Sequence, residues 1–276
     1  MFDQKKYESA LAGFKQDFIG RQWPNEHYKW EAVQWFQDHW DVNAPDFAEM
    51  LAEALKKTFN LLASMNNYPR RMIKAYAKAA PEEVRAMFIA LFDETADIWE
   101  RVDAFKQRAT ALSRIVSPEA GQHFQNENAI TTYLWLRYPD RYSIYKLSEL
   151  RMANQLLGGA YVFKNGAYAD NIRNYMAFSD ELCEKVRSDE AMTAMFRAQL
   201  TPACYPDPQC RTLMQTFCFY VSRFYGEQAR QEESDAWQYA DYTPGLSVED
   251  WAKLLSDPDV FNETSLTIMK RLKENA

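Results

Sequence analysis

Apolar positions recur at helical spacing along nearly the whole chain. Between residues 3 and 20, Tyr7, Leu11, Phe14 and Phe18 fall at steps of three to four, which places them on one helix face. Pro24-Asn25 is expected to break that helix. An aromatic helix over 26–41 follows and ends at Asn43-Ala44-Pro45. Over 46–65, Phe47, Met50, Leu51, Ala54, Leu55, Phe59 and Leu62 keep the same period, up to a turn at Asn66-Asn67-Tyr68-Pro69. The pattern then predicts helices over 70–79, from Pro81 onward, over 95–116, 128–138, 144–157, 170–187, 189–199 and 210–225. Between them lie a Pro-Gly loop at 117–121 and a Pro-rich loop at 201–209. Asn165-Gly166 inside Tyr161–Tyr168 predicts a tiny β-hairpin, because Asn-Gly suits a two-residue turn between strands. Residues 226–246 read as irregular. Ser247-Val248-Glu249-Asp250 resembles a capping box, and a last helix is expected over 265–274.

The expected fold is all-α, an irregular multi-helix bundle with room for one small hairpin near 161–168. Its weakest joints are 117–121 and 226–245. They suggest a helical subdomain over 1–120, a second over 121–246 and C-terminal helices over 247–276 leading toward a further module, unless the whole is one compact domain. The chain shows no repeat at a solenoid period.

Composition sharpens this. The chain has 276 residues and only eight glycines, none between Arg21 and Ala120. No GxGxxG and no GxxxxGK[ST] occurs, so neither a dinucleotide fingerprint nor a Walker A loop is present. The longest apolar run is the seven residues Ala86–Phe92, against the roughly twenty a spanning helix needs, so no membrane role is expected. The start, Met1-Phe2-Asp3-Gln4-Lys5-Lys6, has no apolar stretch behind its charges, so no secretory signal is expected. Cys183, Cys204, Cys210 and Cys218 form no CxxC pair, and His27, His39 and His123 are scattered, so zinc spacing is lacking. Free thiols in a cytoplasmic protein are the expectation, with a Cys204–Cys210 disulfide as the alternative.

The net charge of −7 argues against indiscriminate coating of nucleic acid but not against a local basic patch. Residues 54–81 hold Lys56, Lys57, Arg70, Arg71, Lys74 and Lys78 and no acid. Arg70, Arg71, Lys74 and Lys78 share one helix face, opposite Met72, Ile73 and Tyr76, and would lie as a stripe along phosphates. The alternative is a solvated face whose charges are answered by Glu82, Glu83 and Asp93. Arg137, Arg141 and Lys146 form a second candidate cluster. Residues 226–250, with seven acids and one base, make a poor nucleic-acid contact. Tyr28, Trp30, Trp35, Phe36 and Trp40 surround their helix and read as core, whereas Trp23, just outside it, is the candidate for base stacking. Pro139-Asp140 with Ser148-Glu149-Leu150-Arg151 falls short of a nuclease motif, because Arg stands where Lys is wanted. No catalytic residue, metal ligand or cofactor is therefore assigned.

Several longer strings resemble the N-terminal region of bacterial McrB-like proteins: Glu26-His27-Tyr28-Lys29-Trp30-Glu31-Ala32-Val33-Gln34-Trp35-Phe36-Gln37, Tyr68-Pro69-Arg70-Arg71-Met72-Ile73, Val84-Arg85-Ala86-Met87-Phe88 and Leu91-Phe92-Asp93-Glu94. The most distinctive is Tyr133-Leu134-Trp135-Leu136-Arg137-Tyr138-Pro139-Asp140-Arg141-Tyr142-Ser143-Ile144-Tyr145-Lys146, and Tyr242-Thr243-Pro244-Gly245-Leu246-Ser247-Val248-Glu249-Asp250-Trp251 resembles the family's passage into its next module. The resemblance implies the AAA+ subunit of a restriction system, active in phage defence and aimed at modified-cytosine DNA. That subunit self-associates and works with a separate nuclease subunit, and its motor lies C-terminal. This chain departs from the pattern in having no Walker or sensor residues, so the resemblance implies a non-catalytic module for DNA recognition or substrate gating. The alternative is a helical protein-interaction module that organises the motor ring or the nuclease partner.

Overall fold

The computed structural model describes residues 1–58, 60–63 and 68–226. α1 (Gln4–Asp17) runs through a π-helical turn, Phe18–Gln22, into the single turn α2 (Trp23–Glu26) and then α3 (Tyr28–His39). Pro24 does not interrupt this path. It sits in the first turn of α2, directly after the π-helical turn, where the Trp23 N–H bond to Phe18 O carries the path up to it. Next come α4 (Phe47–Ala54), α5 (Pro69–Ala79), α6 (Pro81–Phe92), α7 (Ile98–Val116) and a 3-10 turn, Pro118–Ala120. α8 (Glu127–Arg137), α9 (Leu147–Leu156), α10 (Tyr168–Arg187), α11 (Glu190–Arg197) and α12 (Arg211–Tyr220) follow, and α12 ends in a second π-helical turn, Val221–Tyr225. Of the described residues 69% are helical, and none is in a strand. The fold is all-α. The capping sequence at 247–250, the irregular stretch at 227–246 and the helix expected over 265–274 lie outside the described residues.

Short polar side chains start several helices. Asp3, Asp46, Asp97, Asn126 and Asp189 each accept a backbone N–H of the following first turn at 2.8–3.0 Å. Two close approaches need glycine. Gly158 takes φ +63 just after α9, where an added Cβ would meet Asp3 at 2.8 Å. Gly13 lets α1 cross α12 with the Tyr220 hydroxyl 2.5 Å from where a Cβ would stand.

Two further expectations differ. The helix over 46–65 ends at Ala54, and the carbonyls around its end take other donors, two from outside the stretch and one from within it. Trp35 Nε1 donates to Glu53 O at 2.8 Å, Thr58 Oγ1 to Leu55 O at 2.7 Å, and Arg70 to Lys56 O at 3.2 Å. Leu55, Leu61 and Leu62 are still buried, so apolar spacing outlasts the helix. The hairpin near 161–168 is replaced by a single strap. Gly166 makes the expected turn at φ +77, but the arm before it pairs with helices on both sides. Asn154 of α9 bonds both the N–H and the carbonyl of Tyr161, and Arg151 donates to Phe163 O. Asn171 of α10 likewise holds both backbone groups of Lys164, and Asn174 donates to Val162 O. Alternate residues face alternate helices, as in an extended chain, so no edge is left for a second strand.

Buried apolar side chains form two clusters. The first runs from Ala32 to Ile144 and centres on Phe88, whose ring meets those of Trp40, Phe47, Phe92, Phe105 and Tyr133. The second joins the two flanks of that stretch, Phe2–Trp30 and Tyr145–Val221. Ile98, Trp99 and Met176 pack against both. Neither cluster is coextensive with 1–120 or with 121–246, and the described residues belong to one compact unit, Met1–Glu227.

Candidate nucleic-acid interface

α5 buries Met72, Ile73, Tyr76 and Ala77, which leaves its basic residues on the opposite side. Arg71 and Lys78 are exposed, and Arg70 and Lys74 are half-buried. Arg70 is tied back to Lys56 O. Arg71, Lys74 and Lys78 make no ion pair among the described residues. The acids that were the alternative partners are committed elsewhere. Glu82 holds Arg85 at 3.0 Å, Glu83 holds Arg108 at 2.7 Å, and Asp93 accepts the N–H and hydroxyl of Thr95. Arg108 keeps the Glu83 carboxyl below its usual range, and the Thr95 bonds do the same for Asp93. Lys56 and Lys57 do not join the stripe's free charge. They pair with Glu53 and Glu31 at 3.1 and 3.0 Å, and both ammonium groups lie over the Trp35 ring.

The second basic cluster is largely neutralised. Arg141 pairs with Glu94 at 2.9 Å and Lys146 with Glu149 at 3.3 Å, while Arg137 lies over the Tyr138 ring. Trp23 is half-buried rather than displayed. Its ring packs among Phe18, His27, Trp30 and Phe196, which weighs against base stacking. An aromatic that the sequence reading passed over as a turn residue lies closer to the stripe. Tyr68 is 42% exposed, immediately before Pro69 of α5, with its ring 6.2 Å from Phe124. Only its neighbours in the chain hinted at this, because nothing in the spacing shows which way the ring turns.

Beyond Lys78, an open cleft of about 560 Å³ lies between the starts of α4 and α6, and Asp46, Glu49 and Glu82 also line it. Those carboxylates keep the cleft from extending the positive face. Asp140 accepts from the Tyr205 hydroxyl. All four cysteines are free and buried, and burial pushes the Cys210 thiol up to about 11. Among the described residues no group of His, Cys, Asp or Glu is placed to hold a metal ion, and no helix is long and apolar enough to cross a membrane. Comparison with protein families, with curated proteins and with solved structures finds no match for this chain.

Proposed function

We propose that this region is the DNA-binding module of an McrB-like restriction NTPase, gripping the phosphate backbone with the outer face of α5. The observation that carries it is that Arg71, Lys74 and Lys78 make no ion pair among the described residues, while Glu82, Glu83 and Asp93 hold other partners. Of the three cations, only Lys78 lines the cleft that Asp46, Glu49 and Glu82 share. Four residues of helix advance roughly 6 Å, so Lys74 and Lys78 can reach successive phosphates of one strand. Phosphate contacts give affinity without reading sequence. On this reading Tyr68, rather than Trp23, is the aromatic beside the bound strand. NTP hydrolysis and cleavage belong to the motor and to the separate nuclease subunit.

Titration of DNA duplexes at several salt concentrations tests this. Charge reversal of Arg71 and Lys74 to Glu should weaken modified and unmodified duplexes alike and flatten the salt dependence by about 0.9 slope unit per lost contact. If the reversed variant binds as the parent does, the stripe is a solvated face and the interaction-module reading takes over.

A further inference from the structure

Ser143 and Ser179 are buried, and neither hydroxyl has a hydrogen-bond partner among the described residues. Elsewhere in this chain several helical hydroxyls turn back to the carbonyl four residues earlier, as Thr131, Thr132, Thr193 and Thr216 do. Ser179, inside α10, forgoes that bond. The backbone around Ser143 is already saturated. Its N–H donates to the Tyr175 hydroxyl, which donates in turn to the Ser143 carbonyl, and the Ile144 N–H donates to Gln215 at 2.8 Å. Both serines line one cavity of about 20 Å³, with Met214 and Cys218 on its wall and Glu149 and half-exposed Lys146 at its outer end.

An unpaired buried hydroxyl is costly, and alanine at either position would avoid the cost. Two such hydroxyls on one small space call for a ligand that donates and accepts. A water needs roughly 10–15 Å³ of such space, so the cavity has room for one. The geometry points to a single structural water bridging Ser143 Oγ and Ser179 Oγ. Its place gives it a role in the fold. Tyr142 and Ile144 belong to the first apolar cluster, and Tyr175, Phe178 and Met214 belong to the second. The bridge therefore ties the two cores at a polar point of their seam, independently of any DNA contact.

A crystal structure at a resolution that shows ordered solvent should contain one fully occupied peak within hydrogen-bonding distance of both hydroxyl oxygens. The absence of a peak, or hydroxyls turned onto protein acceptors, would overturn the proposal. Thermal unfolding of Ser143→Ala, Ser179→Ala and the double variant gives a second readout. A bridging water leaves with the first hydroxyl, so the double variant should lose no more in Tm than the worse single variant. Losses that add would show two unconnected hydroxyls and overturn the bridge.

Discussion

Asp207 is wholly buried at φ +47, a backbone conformation that Asp tolerates better than most residues. Its carboxylate accepts the N–H groups of Arg211, Thr212 and Leu213 at the start of α12 and the indole N–H of Trp30. One side chain thus starts α12 and anchors α3 to it. Asp207→Ala leaves these donors buried without an acceptor and should cost about 2–4 kcal/mol, read from urea unfolding. Burial pushes the carboxyl up to about 6, while the four donors pull it down. Between about 4, the unfolded value, and that higher value the folded protein keeps a proton that the unfolded chain has released. The contribution of this group to stability therefore falls as pH rises through that window. The stability of the parent relative to Asp207→Asn should fall between those pH values and level off above them. Lys29 makes the opposite charge problem. It is 3% exposed, paired with Glu26 at 2.7 Å, and burial pulls its pKa down while Glu26 supports it. Lys29→Met strands the Glu26 carboxylate and should cost about 3–5 kcal/mol, and adding Glu26→Gln should restore most of it. A double variant as unstable as the single one would mean that packing, not charge, is what Lys29 supplies.

At the scale of elements, the strap over 161–164 shows side-chain amides acting as strand partners. Asn171, buried in α10, gives both its oxygen and its nitrogen to Lys164, and Asn154 does the same for Tyr161. Asn171→Ala should cost about 2 kcal/mol for the two bonds, and hydrogen exchange should show lost protection at the Lys164 amide with α8 unaffected. Unchanged protection there would mean that the Asn171 amide is not what shields it. Most helices were legible in the sequence because apolar period, Asp and Asn caps and first-turn prolines agree, as at α5, α6 and α7. The errors fell where tertiary partners outbid local preference. Asn165-Gly166 did make its turn, but Asn154, Arg151, Asn171 and Asn174 took the hydrogen bonds that a second strand would have made. The paired spacing of 151 with 154 and of 171 with 174 was the available signal. α4 stopped early where Trp35, distant in sequence, takes the Glu53 carbonyl. The shared face of Arg71, Lys74 and Lys78 was legible for the same periodic reason. What spacing could not show was that Glu82 and Glu83 point to Arg85 and Arg108, or that Trp23 packs inward while Tyr68 does not.

At the scale of the molecule, the two apolar clusters depend on each other unequally. The first is drawn from one continuous stretch, 32–144, and closes its own loop of 99 residues where Gln37 of α3 meets Leu136 of α8. The second needs Phe2–Trp30 to meet Tyr145–Val221, which encloses that whole stretch. Loop-closure entropy grows with the logarithm of loop length, and a folded first cluster removes most of it by holding α3 beside α8. The second core is therefore built on the first and should open before it. Phe178, in the second cluster, packs edge-on against Phe2, Tyr161 and Phe163, while Phe88 is the hub of the first. Either residue changed to Ala leaves a cavity worth about 3–5 kcal/mol. Phe178→Ala should loosen α1 and α10–α12 in native-state hydrogen exchange while α5–α8 keep their protection, since their core stands without it. Phe88→Ala should lower protection in both clusters together, because losing the first removes the platform for the second. Equal loosening of both clusters by Phe178→Ala would show a single cooperative core instead, in which the polar seam transmits unfolding in either direction.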